Sequence, residues 1–550
     1  MADEDVEKPE RKSIPIPADF ALTWAESNDA ERTWNLDGTH FPEAMPPLEF
    51  DYWHCAIRGI YHLQKRLDAP NRMLIRYING YFYMGEHRVV AEADEDQHKK
   101  RGEEAIQKLA EQMHTLWPDQ WLPEIEEHLA FWDAFDLEGA SLEALRLHLD
   151  ESWQRVNQIW TLHFKLGPPA YKAMEKFKEY YGELFEEKED ELAAFRLLEG
   201  LDNKTVEIGH ALWDLSQGLA PDVAQTIVTH AAAEVVPALK KTESGRAFLV
   251  DLEVYLAEYG QRSNHWSLSL PSWTENPTPV CKSLQDYLRS DSDPRLKYQA
   301  LAAERERALA VLRERLQGYP PPARGEFEER LKQAQLGMLI SEDHNFWIDF
   351  AATYKVRCVI LALGQRLVEA GWIEAADDVF YLHLEEVRQL HGDQRVLVAE
   401  RRQWLEQYRK VKPPPRLGVE PRPEKKAAGE EEKPEPPADE PGVLRGQVGS
   451  PGTVRGRARV VESIASSEGL NPGDIIVAQT TSPSWTPLFA TLGGVVTEQG
   501  GVLSHCAVIA REYRIPAVVG VADARGKIAD GQLIELDGAA GTVRLVEADE

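Results

Sequence analysis

Basic residues are in short supply in this chain. It has 62 Lys and Arg against 92 Asp and Glu, a formal charge of -30. A surface of that sign repels phosphate backbones and anionic lipid, so neither nucleic acid nor an acidic membrane is expected as a partner. Cysteine is scarce as well. Cys55, Cys281, Cys358 and Cys506 lie far apart and form no CxxC pair. That excludes a disulfide framework, gives no metal site and fits a reducing cytoplasm. No apolar run reaches the ~20 residues that a membrane span needs. The acidic start, Met1-Ala-Asp-Glu-Asp-Val-Glu7, has no apolar core of a signal peptide. A glycine-rich nucleotide loop is also missing, with neither a P-loop nor a GxGxxG in a βαβ setting. What is present is 550 residues, 43% hydrophobic and 28% charged. That is a globular composition, with length for several domains.

Composition divides the chain into four stretches. Residues 1–15 are charged and poor in large apolar groups, and are expected to be a disordered tail. Residues 16–410 are expected to be mainly helical. Asp51-Tyr-Trp-His-Cys-Ala-Ile-Arg-Gly-Ile60 starts a helix, and Arg76 to Met84 reads as a strand turn about Asn79-Gly80. Helical periodicity runs over 137–166, 171–198, 205–217, 222–238, 245–259, 324–340, 344–370 and 384–410. Leu301, Leu309, Leu312 and Leu316 share one face of an Arg/Glu-rich stretch. The many Trp and Tyr residues read as packing. Residues 411–442 then change character, with nine prolines among 32 residues. Such a linker is semi-stiff and solvated, roughly 30 Å long as a coil and about 100 Å as polyproline II. Residues 443–550 read as a small α/β module. Strands are expected at 455–461, 473–478 and 493–496, a hairpin at 531–546, and helices near 486–492 and 504–513. The expected fold is multidomain, a large mostly α-helical domain followed by a small α/β domain.

Chemistry concentrates in Thr497-Glu-Gln-Gly-Gly-Val-Leu-Ser-His-Cys-Ala-Val-Ile-Ala-Arg-Glu512. Gly500 and Gly501 give a turn that Cβ-bearing residues resist. Ser504 stands where a helix N-cap belongs, which puts His505 in the first turn. Free N–H groups and the helix dipole favour an anion there. An imidazole in that place can carry a phosphoryl group. Its second nitrogen needs a partner that fixes the tautomer, and Thr497, Glu498 and Ser504 are the nearby polar candidates.

This stretch, with Ile515-Pro-Ala-Val-Val-Gly520, resembles the phosphohistidine swivelling domain of phosphoenolpyruvate synthase, pyruvate phosphate dikinase and rifampicin phosphotransferase. The resemblance makes His505 the phosphoryl carrier. Cys506 departs from the alanine commonest there and is an expected oxidation site. Thr481-Ser-Pro-Ser-Trp-Thr-Pro487 matches a family loop that supports the histidine. Neither the barrel that follows this domain in some relatives nor the preceding ATP-grasp domain is recognisable. ATP and Mg²⁺ are therefore expected on a separate ATP-grasp subunit, with no cofactor or metal held by this chain.

Three upstream segments resemble the substrate domain of rifampicin phosphotransferases: 256–277, Glu342-Asp-His-Asn-Phe-Trp-Ile-Asp349, and Gly371-Trp-Ile-Glu-Ala-Ala-Asp-Asp-Val-Phe-Tyr-Leu382. Gln261 stands where those proteins often have His. The subunit plan also looks like the large subunit of phenylphosphate synthase, which implies a phenol-like hydroxyl acceptor. An acceptor site needs a base and cations. The candidates are Arg262, His265, Asp343 and His344, with Trp266 and Trp347 to stack on an aromatic substrate, and His54 and His210 as weaker alternatives. The other reading is a phosphocarrier or regulatory protein whose helical region is a docking scaffold. A closed, aromatic-lined pocket within 50–400 that His505 can reach favours the enzyme, and a flat helical surface favours the scaffold.

Overall fold

The structure is a computed structural model. It describes residues 11–185, 192–289, 293–421, 442–461, 469–481 and 485–546. A large helical region is followed by a C-terminal α/β domain, as expected. The residues gather into two compact units. One comprises Met1–Ala105, Ala134–Phe164 and Val356–Pro436, the other Ile106–Asp133, Lys165–Lys355 and Pro437–Glu550. The stretch 16–410 thus contributes to both. No helix among the described residues is long and apolar enough to cross a membrane.

The first unit contains an antiparallel sheet of β1 (Thr33–Leu36), β2 (Asn71–Ile78), β3 (Tyr81–Arg88) and β4 (Arg416–Gly418), in the order β2-β3-β1-β4. The Asn79-Gly80 turn joins β2 to β3, and Ile78 pairs with Tyr81. Both turn residues have positive φ, 54° and 87°, as a two-residue hairpin turn of this twist requires. Phe50, on the helix Pro47–Arg66, stacks on Tyr77 at 4.5 Å and meets Phe82 at 5.6 Å. Sequence patterning places residues 411–442 in a linker, yet Leu417 pairs with Trp34 and is buried. The apolar side chain gains more from that core than from water. Part of the expected N-terminal tail is ordered beside it. Ser13 bridges Val419, and the Ile14 N–H donates to the Gly418 carbonyl. The rest of the tail, 1–10, and of the linker, 422–441, lies outside the described residues.

Helix boundaries depart from the periodicity in several places, the stretch 222–238 among them, which is two helices, Pro221–Thr229 and Ala232–Leu239. Leu142–Phe185 is one helix with Pro168 and Pro169 inside it, where two helices were expected. Its continuation is held by close packing in the second unit, where a Cβ on Gly337 would meet the Ala170 carbonyl at 2.7 Å. The stretch 384–410 is two helices, Leu384–Gln389 and Arg395–Tyr408, broken at Gly392.

The C-terminal sheet lies in the second unit. Its strands are β5 (Val443–Arg445), β6 (Gln447–Ser450), β7 (Thr453–Val460), β8 (Ile475–Ala478), β9 (Gly494–Thr497), β10 (Ala517–Val519), β11 (Leu533–Asp537) and β12 (Thr542–Leu545). Their order is β5-β12-β11-β7-β8-β9-β10-β6. The central four, β7 to β10, are parallel. All of β8, β9 and β10 is buried, as parallel strands covered on both faces must be. One face, with Ile475, Val477, Val496 and Val518, packs on Ile534, Leu536 and Val543. The other, with Ile476, Val495 and Val519, shares a core with the helix His505–Glu512. That core extends to Phe177, Leu309, Leu312, Phe327 and Met338 of the helical region.

Candidate functional site

The histidine loop grows from the carboxyl end of β9, the usual place for a site in an open parallel sheet. Thr497 ends the strand fully buried, and its hydroxyl donates to the Gln499 carbonyl at 2.8 Å. Gly500 follows with φ +111°, and a Cβ there would meet the Ser504 hydroxyl oxygen at 2.9 Å. No L side chain fits that conformation without strain. Gly501 accepts the Ser504 N–H through its carbonyl, at 2.9 Å. Ser504 is the N-cap: its backbone is extended and its hydroxyl accepts the Ala507 N–H at 3.4 Å. His505 is the first residue of the helix.

The ring of His505 is nearly out of solvent, its side chain 14% exposed. Neither ring nitrogen makes a hydrogen bond, although both are buried. Nδ1 lies 3.3 Å from Oε2 of Glu342, an ionic approach without hydrogen-bond alignment. Nε2 has no described partner at all. Buried polar atoms are rarely left so unless something else occupies them at work. Thr497, Glu498 and Ser504, the neighbours expected to hold the ring, are engaged elsewhere. Glu498 accepts both the backbone N–H and the Nε–H of Arg525, each at 2.9 Å.

Glu342 is itself buried and accepts the Thr205 hydroxyl at 3.1 Å. Its neighbour Asp343 accepts the Lys204 N–H at 2.7 Å. Both carboxylates thus meet the first turn of the helix Lys204–Ser216, which Asn203 caps. The N-terminal dipole and free N–H groups offset part of the cost of burying two adjacent acids. Burial still pushes Asp343 up to about 6.

The same helix that carries His505 is anchored by charge. Arg511 is buried, donates to the Gly449 carbonyl at 2.7 Å and lies 3.4 Å from Glu199. Glu512 accepts the Gly200 N–H, and burial pushes its carboxyl up to about 8. A carboxyl raised in the folded state stabilises the fold below its unfolded pKa, and that contribution is lost as pH rises through the folded value. Glu512→Gln removes the effect. The melting temperature of the wild type minus that of Glu512→Gln should therefore fall steadily from pH 5 to pH 8. A difference that is flat or rises over that window contradicts the buried carboxyl.

Cys506 is buried beside the Thr481 and Thr497 hydroxyls, and burial pushes its thiol up to about 12. The thiolate that oxidation requires is suppressed, which corrects the expectation of an oxidation site. In the loop 481–487, residues 482–484 lie outside the described residues, while Trp485 and Thr486 are buried beside the histidine helix.

The substrate candidates are dispersed. Arg262 is buried between rings, its guanidinium 4.6 Å from the centre of Phe350 and 5.3 Å from that of Trp273. Burial lowers its pKa to about 10. It is a structural stud of the loop that follows Tyr259. His265 and Trp266 are half-buried in the same loop, where the His265 carbonyl accepts the Ser267 N–H. Gln261 donates to the Ala257 carbonyl. The His344 Nδ1–H donates to the Ile340 carbonyl at 2.7 Å, one turn back in its own helix. Trp347 lies in a π-helical segment, Asn345–Ala352, edge-on to Phe346 with the Lys204 ammonium 5.5 Å from its ring. His210 meets Tyr298 edge-on at 5.2 Å. Only the segment at 342–343 reaches the carrier, and through Glu342, which the sequence reading passed over. The signal for it was weak, two adjacent acids on a buried helix.

The first unit has a cavity of about 640 Å³. His54, His62 and His383 line it with Asp51, Arg58 and Trp153. Most of its lining side chains carry a polar group and one is a tryptophan, so it is not the aromatic-lined pocket that would favour the enzyme reading.

Comparison with known proteins accords with this arrangement. Residues 166–341 match the rifampicin phosphotransferase fourth domain, and residues 470–541 match the mobile domain of PEP-utilising enzymes. The chain is 36% identical to chondramide synthase cmdD of Chondromyces crocatus, over 98% of this chain and 14% of that one. It is 29% identical to the uncharacterized phosphotransferase YvkC of Bacillus subtilis, over 81% of this chain and 54% of that one. It is 33% identical to a rifampicin phosphotransferase of Streptomyces sviceus, over 62% of this chain and 40% of that one. The chain thus spans about half or less of the length of these relatives. The C-terminal α/β domain thus matches the mobile domain of the PEP-utilising enzymes, here joined to a helical region that matches the rifampicin phosphotransferase fourth domain.

Proposed function

We propose that this chain is the carrier and acceptor part of a phosphotransferase that works through phosphohistidine. His505 takes a phosphoryl group from ATP and passes it to a small hydroxyl compound. ATP and its Mg²⁺ are held by an ATP-grasp part outside these residues, on a separate subunit in the scheme favoured here. The observation that carries the reading is the ring of His505, at the start of a capped helix, with Nδ1 against Glu342 and Nε2 buried and unpartnered.

The chemistry follows from that placement. Glu342 favours a proton on Nδ1, which leaves the Nε2 lone pair as the nucleophile. Nε2 attacks the β phosphorus of ATP as the bond to the α-phosphate oxygen breaks and AMP departs, and water takes the γ-phosphate off as inorganic phosphate, which leaves the β-phosphoryl group on the ring. In the second step the acceptor oxygen attacks, and the N–P electrons return to the ring. A proton held on Nδ1 makes the imidazole the better leaving group. Glu342 is thus a positioning residue. A phenol is the specific substrate proposed from the resemblance.

The chain can be charged without ATP by labelled phosphoramidate, with His505→Ala as the blank. In ³¹P NMR the wild type should carry the group on Nε2, and Glu342→Gln should give a mixture of the two isomers. Offered phenol, benzyl alcohol and glycerol, the charged wild type should pass the label to a hydroxyl compound. Label lost only to water would contradict the proposal and favour a phosphocarrier with a docking scaffold.

A further inference from the structure

The oxygen of Glu342 that faces the carrier histidine has a second partner. Thr205 donates its hydroxyl to Oε2 at 3.1 Å, and His505 Nδ1 lies 3.3 Å from the same oxygen. Thr205, Glu342 and His505 all belong to the second unit, and Thr205 is as buried as Glu342, each 3% exposed. Thr205 is the second residue of the helix Lys204–Ser216. Its neighbour Lys204 gives its N–H to Asp343 at 2.7 Å, so two successive residues of one helix hold two successive acids of another. The start of the helix does not need the threonine hydroxyl, because Asn203 already caps it, accepting the Val206 N–H at 2.9 Å. A β-branched side chain in a helix has few χ1 positions, so the backbone sets the place of that hydroxyl. The same helix also fixes the far end of the carrier helix. Gly209, one turn on from Thr205, lies against the Tyr513 hydroxyl, where a Cβ would collide. Just ahead of the helix, the Gly200 N–H donates to Glu512 at 3.0 Å. Seated at that end, the carrier helix brings His505 to the carboxylate that Thr205 holds.

We infer that Thr205 is a positioning residue of the carrier site: by fixing Oε2 of Glu342 against Nδ1, it decides which ring nitrogen of His505 takes the phosphoryl group. The inference rests on the phosphotransferase reading above and adds to it a residue that acts through Glu342. A carboxylate turns broadly about its last bond. With the hydroxyl on Oε2 that turn is stopped, and Oε2 stays against Nδ1. The proton is then kept on Nδ1 and the lone pair on Nε2. In charging, the Nε2 lone pair bonds to phosphorus, and the bond from phosphorus to the leaving group breaks with its electron pair. The Nδ1 proton stays on the ring. Without the hydroxyl, Oε2 is free to leave the ring, both tautomers form, and either nitrogen attacks. No local pattern marks Thr205 in the sequence, since its partner lies 137 positions on.

The test uses the full chain charged by phosphoramidate, with His505→Ala as the blank, and reads the two phosphohistidine isomers by ³¹P NMR. The wild type is compared with Glu342→Gln, Thr205→Val, Thr205→Ala and Thr205→Ser. A hydrogen bond to a charged group is worth about ten-fold or more in an equilibrium. Thr205→Val should therefore raise the share of the Nδ1 isomer by about ten-fold, toward the mixture of Glu342→Gln. Thr205→Ser keeps the hydroxyl and should return the wild-type isomer. A threonine with a structural role alone would change the melting temperature or the total phosphate taken up, and would leave the isomer ratio as it is. Thr205→Ala is read in place of the valine variant if that one does not melt as a folded protein. The wild-type ratio in Thr205→Val, with Glu342→Gln mixed, overturns Thr205 alone. A serine variant as mixed as the valine one overturns the part of the hydroxyl as well. A single isomer in Glu342→Gln overturns the step through Glu342, and Thr205 with it. Absence of His505-dependent charging in the wild type overturns the carrier reading itself, so the failures are distinct.

Discussion

His505→Ala should reduce phosphoryl uptake and turnover to background while the fold survives. The imidazole is the group with a buried nitrogen and no hydrogen-bond partner in the loop. What builds the loop lies elsewhere: the positive φ of Gly500, the Ser504 cap and the Glu498–Arg525 pair. Alanine is a good helix former, and the first helical position asks for no particular side chain. The loss to the fold is one contact to Glu342, which still accepts the Thr205 hydroxyl. Uptake of label and thermal unfolding, measured on the same preparation, check both halves. Turnover retained in the variant would remove His505 from the mechanism.

The largest loss of stability is expected from Arg511→Met. Arg511 is buried, with Glu199 at 3.4 Å and the Gly449 carbonyl at 2.7 Å. Removing one partner of a buried ionic cluster leaves the others without compensation, at a cost of about 3–5 kcal/mol. Methionine keeps much of the volume, so the loss reports charge more than packing. The acids that remain can take up protons. Burial already raises both Glu199 and Glu512, the latter to about 8. The cost should accordingly be greatest near pH 8 and smaller near pH 5, where protonation relieves the stranded charges. Denaturant unfolding at both values measures it. A cost below about 1 kcal/mol at either pH would mean that the cluster is solvated.

The part of the site that was legible in the sequence is the part that is local. Gly500, Ser504 and His505 sit within six positions, and turn, cap and first helical residue each leave a mark on residue choice. The same holds for the Asn79-Gly80 hairpin and for the buried runs of β8 and β9. What pairs across the chain was not legible. Glu342 meets a histidine far along the chain, and nothing in a helical period distinguishes it from Asp343 or His344. Arg262 looked catalytic because of its motif and proved to be held between rings, since a buried guanidinium packs as well as it binds. Leu417 was lost in a proline-rich composition, although one apolar residue opposite Trp34 suffices to extend a sheet. Thr205 and Glu342 come together only through the fold.

The central claim is that phosphate moves through His505. The most direct measurement incubates the purified chain with ATP labelled at the β position and an ATP-grasp domain supplied in trans, then maps the acid-labile, base-stable label by peptide. The account predicts label on the peptide that contains His505, dependent on the ATP-grasp domain and absent from His505→Ala. Label on another residue, or label that persists in that variant, would contradict it.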